Sequence, residues 1–385
     1  MSFRKRNTVL SAAQPGQAAS QTRSEKQQLA PGLRPSPLDG RPTTSTGTTS
    51  LDYLLAGHVG LPLGTCILVQ EQGTTDFSGI LLRYYAAEGL VQGHQVHAVG
   101  FPQGWRNELP ALAAEDGRSK ASRPAVVPED RMKIAWRYET LGNASSSGSI
   151  PATRPDADPA APFCHSFDLT KRLATSSCKG ALHPIPMEPF TLDRTPANSR
   201  SPLKAAISEL QTRLAASEPS VVHRLVVPSL LSPTLYPSGC SRPDEVLQFM
   251  HALRALLRQY STQLTALITL PISLFPRGAG LTRWMELLCD GVIELIPLPS
   301  QPGAASKPDA KTSDQGQGLL RVHSLPVYHE KGGGGAENTY FREDLSFSLS
   351  GSKGLVIKPY SLPPLGEEGQ KEKSPASTVK DGIDF

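Results

Sequence analysis

Apolar positions along this chain follow two rhythms, and the switching between them outlines the fold. A continuous apolar run, CILVQ at 66–70, is followed at helical spacing by Phe77, Ile80, Leu81, Tyr84 and Ala87, and then by the short run HQVHAVGFP. Strand, helix, strand is the expected order, which implies a parallel unit with a right-handed crossover. The second half repeats the alternation. SPLKAAISELQTRLAA reads as a helix and VVHRLVVP as a buried strand; PDEVLQFMHALRALLRQY opens on Pro243 and aligns Val246, Met250, Leu253, Leu257 and Tyr260 on one stripe. LTALITLP, LTRWMELLC and GVIELIPLP continue as strand, helix, strand. LLRVHSLPVYH, LSFSLS and GLVIKPY then alternate with a period of two, as antiparallel strands do. The expected fold is α/β, a mostly parallel sheet flanked by helices with antiparallel edge strands.

Composition sets the limits of that domain. The 385 residues include 35 prolines and 33 glycines, many clustered with Ser, Thr and Ala, so about two thirds of the chain is expected to pack. Residues 1–40 read as a disordered leader, 41–360 as the domain, and 361–385 as a flexible tail. Pro-, Ser- and Ala-rich insertions are expected near 113–162 and 174–200, with a linker at 300–317. The first insertion carries the island RMKIAWRYETL, and FCHSFDLTKRL follows it.

A formal charge of +4 is too small to infer a polyanionic partner, and the one terminal basic cluster, Arg4, Lys5 and Arg6, reads first as a solvated tail. Five scattered cysteines without C-x-x-C spacing argue against a disulfide framework and a zinc site, and fit a reducing compartment. No run approaches the ~18 apolar residues of a membrane span, and MSFRKRN leads into polar sequence. A soluble, intracellular chain is expected.

The turn after CILVQ is the default phosphate position of such a sheet, and here it reads EQGTTDFS. A phosphate loop, G-x-x-x-x-G-K-[ST], needs two glycines, a lysine and a hydroxyl. Glu71 and Asp76 stand at the glycine positions, Phe77 at the lysine and Ser78 at the hydroxyl. The helix N-terminus with Thr74, Thr75 and Ser78 remains a nucleotide-binding candidate. Against it, two acids repel a triphosphate and a phenyl ring supplies no charge. The strand end where a magnesium-holding Asp is expected continues instead with Ser229 and Leu230. A self-sufficient ATP site is therefore not expected.

Other constellations carry less. His94 and His97 sit on opposite faces of a strand, so they do not chelate one metal and read as strand-edge residues. Cys164 beside His165 is adjacency, not a dyad. No G-x-S-x-G, H-E-x-x-H or G-x-G-x-x-G occurs, and GGGG at 332–335 reads as a hairpin tip. Neither a catalytic residue nor a metal ligand is assigned. Loops after two second-half strands bring Tyr236, Arg242, Arg277 and Arg283 to one end of the sheet. Arginines with an interleaved aromatic suit looped RNA; the bland alternative is a solvated rim.

TSTGTTSLDYLLAGHVGLPLG resembles the segment leading into the first core strand of RecA-like ATPases. With E-Q-x-T-T-x-F, the islands MKIAWRY (132–138) and FDLTKRL (167–173), and VVPSLLSP, residues 31–360 resemble the PAXNEB family of Elongator subunits. The resemblance implies a RecA-like P-loop NTPase fold with a degenerate loop. It implies a non-catalytic subunit that joins the fifth and sixth Elongator subunits in a hetero-hexameric ring. Such a ring binds tRNA and engages core subunits one to three, which carry the carbon-5 modification of the wobble uridine. Family members lack the standard loop, so any ATP belongs to subunit interfaces of the ring, and the setting is cytoplasmic and nuclear. The rival readings are an active RecA-like ATPase, a recombinase or clock-type kinase relative, and a scaffold without ligand.

Overall fold

The computed structural model describes residues 29–55, 57–113, 162–187, 201–298, 316–326, 345–351 and 354–360. Most of the leader, the island MKIAWRY, the glycine run 332–335 and the tail lie outside these residues.

Along the chain the strands are β1 (Leu33–Pro35), β2 (Pro42–Thr44), β3 (Leu61–Pro62), β4 (Cys66–Glu71), β5 (Gln95–Val99), β6 (Pro110–Leu112) and β7 (Phe167–Arg172). There follow β8 (Ala181–Ile185), β9 (His223–Val227), β10 (Leu264–Pro271), β11 (Gly291–Pro297), β12 (Gly318–Ser324), β13 (Leu345–Ser350) and β14 (Gly354–Pro359). The helices are α1 (Thr49–Leu54), α2 (Phe77–Gln92), α3 (Pro202–Ala216), α4 (Pro243–Gln259) and α5 (Gly280–Leu288). Nine strands form one sheet in the order β14-β13-β12-β11-β4-β10-β9-β5-β8. From β11 to β8 every neighbouring pair is parallel; β12, β13 and β14 add antiparallel strands at one edge. The expected α/β fold is the one observed. The loop-bearing strand β4 lies in the interior, and two strands separate it from β5, so the first strand-helix-strand unit is parallel but not made of neighbours.

Side-chain alternation along the strands divides the core. Cys66, Leu68, Leu225, Val227, Ala266 and Ile268 face the layer of α3, α4 and α5. Ile67, Val69, Val96, Ala98, Val226 and Leu267 face α1, α2 and the edge hairpin. Buried on both faces, these strands read as unbroken apolar runs, which is why sequence located them.

Two strands lie in stretches that the sequence reads as leader and insertion. β1 falls inside the stretch read as leader and pairs antiparallel with β2, and Arg34 there stacks its guanidinium 3.5 Å from the Phe163 ring centroid. β8, inside the stretch read as a Pro-rich insertion, is the far edge of the main sheet. Pro184 is tolerated because an edge strand has one side without ladder partners.

β8 is also held by histidines. His97 stacks on His183 and on His223 with centroids 5.2 Å apart in both cases. The Ser217 hydroxyl donates to Leu214 O (2.9 Å), so His223 Nε2 donates to Ser217 (2.8 Å) and His223 Nδ1 accepts from His97 Nε2 (2.9 Å). Arg213 donates to His183 Nδ1 (2.8 Å), leaving His183 Nε2 to donate to Gln95 Oε1 (2.7 Å). His94 and His97 lie on opposite strand faces as expected, but they are buried, not at an edge. Burial first, and the neighbouring His183 second, push His223 down to about 4; burial and Arg224 push His94 down to about 3. Unfolded imidazole takes its proton near 6.5, so the stabilisation is complete above that pH and is lost as pH falls from there toward about 4. The urea midpoint is expected to fall from pH 7.5 to 5, with a loss of about 2 kcal/mol in unfolding free energy for His223. Replacing His223 with Asn should flatten part of that profile; a midpoint independent of pH would refute the account.

Candidate functional site

The residue that decides the loop site is Glu71. It ends β4, whose six residues are all buried, and after five intervening residues α2 begins. That short return lays the first turn of α2 over the Glu71 side chain. Thr75 Oγ1 donates to Oε1 at 2.8 Å and Phe77 N at 2.9 Å; Ser78 N and Oγ donate to Oε2 at 2.9 and 2.5 Å. These are donors of the type that hold phosphate in a working loop. The carboxylate takes them all, favoured by the partial positive charge of the helix start.

Of the nucleotide candidates, Thr75 and Ser78 are thus engaged by Glu71, and Thr74 is exposed. Sequence set Glu71 against a phosphate by its charge alone. It did not show that the carboxylate accepts from the donors of the loop and the first helical turn. Asp76 turns outward to Arg83 at 3.0 Å. Phe77 turns the other way and meets Phe347 of β13 edge-on, with centroids 4.8 Å apart. At the lysine position the chain has an apolar anchor to the antiparallel hairpin. Gln72 donates to Glu294 of β11, and Gly73 N donates to Ser273 Oγ at 2.8 Å beyond β10, so neighbouring strands pin the loop.

The end of β9 is closed too. Ser229 adopts a positive φ of 38° and its N–H donates to Thr269 Oγ1 at 2.6 Å. Tyr236 OH donates to Pro228 O at 2.8 Å.

That placement corrects one candidate. Tyr236 is 3 % exposed, its ring lies in the core, and burial raises its hydroxyl well above the ordinary value. It offers no face to a base. Arg277 and Arg283 come together on one acceptor: Arg277 Nε and Nη2 bond Glu286 at 2.6 and 3.1 Å, and Arg283 bonds the same carboxylate. Gln70 of β4 donates to Glu286 at 2.8 Å from beneath. Burial raises the Glu286 carboxyl, but the bonds from Arg277 and Gln70 outweigh it, and the net direction is down. Arg242 stands apart, exposed and paired with Asp244 at 2.9 Å. The structure therefore brings together two of the four RNA candidates.

Sequence missed Arg224. It is completely buried on β9, and its guanidinium reaches the Ser-Thr-Gly turn: Nη1 donates to Ser45 O (2.8 Å) and Tyr85 O (3.0 Å), and Nη2 to Thr44 Oγ1 (2.7 Å). Asp52 closes the same turn, accepting from Ser45 Oγ at 2.5 Å and from Thr46 N and Oγ1 at 2.7 Å each. Gly47 sits in it with φ +77°, where a Cβ would lie 2.4 Å from Tyr84 O. The S-T-G…L-D pattern is thus a structural lock between the N-terminal segment, α2 and β9. The signal available in sequence was a lone charge inside the apolar run VVHRLVVP.

Cys164 shares a 3.4 Å hydrogen bond with Thr49 Oγ1, and burial raises its thiol to about 11, while His165 bonds Glu88 at 3.0 Å. The two adjacent residues serve different partners, and neither activates the other. Among the described residues no cluster of His, Cys, Asp and Glu has the geometry of a metal site, and no helix is long and apolar enough to cross a membrane.

Comparison with known proteins adds a family to this geometry. The model of the PAXNEB protein family matches residues 26–385. The chain is 33% identical over 363 residues to Elongator complex protein 4 of Schizosaccharomyces pombe, covering 90% of this chain and 91% of that one. It is 26% identical to Elongator complex protein 4 of Saccharomyces cerevisiae, over 91% of this chain and 81% of the relative. The Homo sapiens protein of the same name is 29% identical, over 77% and 72%. Among solved structures, a KaiC-like protein of Pyrococcus horikoshii aligns with 82% of this chain and 99% of its own, at 14% identity and a TM-score of 0.39.

Proposed function

The chain belongs to the PAXNEB family, and from that premise we propose that it works as a non-catalytic subunit of the Elongator complex. In this reading it joins two sister RecA-like subunits, the fifth and sixth, in a hetero-hexameric ring. The ring binds tRNA and supports carbon-5 modification of the wobble uridine by core subunits one to three, in cytoplasm and nucleus. The observation that carries the non-catalytic part is Glu71: four donors of the loop and first helical turn are committed to an internal carboxylate. The phosphates of ATP would have to displace a buried, fully hydrogen-bonded group, with Phe77 where a lysine would compensate. Any nucleotide of the ring is accordingly assigned to subunit interfaces.

Arg242, Arg277 and Arg283 keep their place as tRNA contacts in this reading, Arg242 as the most exposed of the three. The test is co-expression with the two sister subunits, native mass of the product, and titration with tRNA with and without ATP. A six-chain assembly that binds tRNA, and an isolated chain that does not turn over ATP, are the expected results. A stable monomer that hydrolyses ATP alone would overturn the proposal, and an assembly without tRNA affinity would leave only the scaffold reading.

A further inference from the structure

With Tyr236 buried, an RNA surface built from these loops needs another aromatic, and α5 carries one. Trp284 is 55% exposed and Leu287, one turn along, is 65% exposed, so the outer face of this short helix carries two large apolar side chains beside the exposed Arg283. Both neighbours of that face are cationic. Arg283 and Arg277 lie at the start of α5 on Glu286, and at its end Arg254 Nη1 donates to Leu287 O and Leu288 O at 3.2 and 3.1 Å. Arg258, one turn beyond Arg254 on α4, pairs with Asp290 at 3.4 Å. Four guanidinium groups thus lie on or beside the helix that carries the exposed indole, against the carboxylates of Glu286 and Asp290, with the buried Glu294 also acting on Arg277. That excess of positive charge is what a polyanion complements and what an ordinary apolar protein contact leaves without a counterpart.

We propose that Trp284 is a stacking platform for an unpaired base of a bound RNA, with the surrounding arginines on its phosphates. Indole and guanidinium planes stack on bases irrespective of sequence, so the site takes single-stranded or looped segments, not a regular duplex. The proposal rests on the RNA-binding reading above and adds the place of contact.

The test uses the full chain, alone and in its co-purified assembly, with a tRNA transcript and an oligouridine as probes. Trp284→Ala is expected to weaken binding about tenfold, and Trp284→Phe to stay near wild type. Indole fluorescence should be quenched by RNA in the wild-type protein and not in Trp284→Phe. Arg254→Gln with Arg258→Gln should lower the salt dependence of binding by about one to two counterions. Unaltered melting temperatures verify that the variants fold. Wild-type affinity in Trp284→Ala would overturn this surface while leaving RNA binding in place. Loss of sister subunits with unchanged RNA affinity would make it a protein interface and overturn it likewise. If neither wild-type form binds RNA, both this inference and the reading beneath it fall.

Discussion

Replacing Arg224 with alanine is expected to lower the unfolding free energy by about 4 kcal/mol, the largest effect of any single change considered for this chain. Its guanidinium donates to His94 Nδ1 at 3.0 Å as well as to Ser45 O, Tyr85 O and Thr44 Oγ1, and lies 4.7 Å from the Tyr85 ring centroid. Burial lowers its proton affinity; Tyr85, Glu88 and Asp52 act the other way. Truncation strands four acceptors at once and removes the positive charge that faces the buried carboxylates of Glu88 and Asp52, which keep their bonds to His165, Gln92, Ser45 and Thr46. Even the helix makes room for this group: a Cβ on Gly89 of α2 would lie 2.6 Å from Arg224 Cδ. Urea denaturation of Arg224→Ala and Arg224→Lys checks the expectation. Lysine restores the charge but not the planar fork, so it should recover less than half of the loss. A loss under about 1 kcal/mol in the alanine variant would show that the network is relaxed by water or by side-chain movement.

The second large effect belongs to Glu71. Glu71→Ala should cost about 3 kcal/mol, because the two N–H groups of Phe77 and Ser78 and two hydroxyls lose their acceptor beneath the helix start. Glu71→Gln keeps the shape but turns one acceptor into a donor facing donors, and should cost about half as much. Neither variant is expected to hydrolyse ATP. Phe77→Lys alone should not do so either, since Glu71 still fills the turn and Ser229 stands where a magnesium ligand is needed. Calorimetry for stability and a phosphate-release assay for turnover separate the two effects. ATP turnover by the isolated Phe77→Lys chain would refute the view that Glu71 closes the site.

These two residues illustrate how far sequence reaches. EQGTTDFS was legible as a departure from the phosphate-loop pattern because loop chemistry depends on residue types at fixed spacing. The acids, the missing lysine and the surviving Ser78 are all local facts. That Glu71 turns inward under α2 while Asp76 turns outward to Arg83 is a matter of side-chain direction at a strand end, and spacing does not encode it. Phe77 was legible only as an absent charge; its partner Phe347 comes from a hairpin far along the chain. Tyr236 looked like an exposed loop aromatic because its neighbours are Pro, Ser and Gly, yet the loop folds back over the ends of β5 and β9.

By itself, the sequence determined the alternation of strand and helix, the interior position of the apolar runs, the departure of the loop from the phosphate-binding pattern, and the family. Each is written in short-range periodicity, in residue chemistry at fixed offsets, or in motif order. Tertiary structure alone decided which strands are neighbours, that β8 closes the sheet's edge, that Arg224 locks the Ser-Thr-Gly turn, and that Arg277 and Arg283 share Glu286. Those outcomes depend on groups brought together by packing. Burial makes their hydrogen bonds obligatory, and no local pattern announces which distant partner will satisfy them.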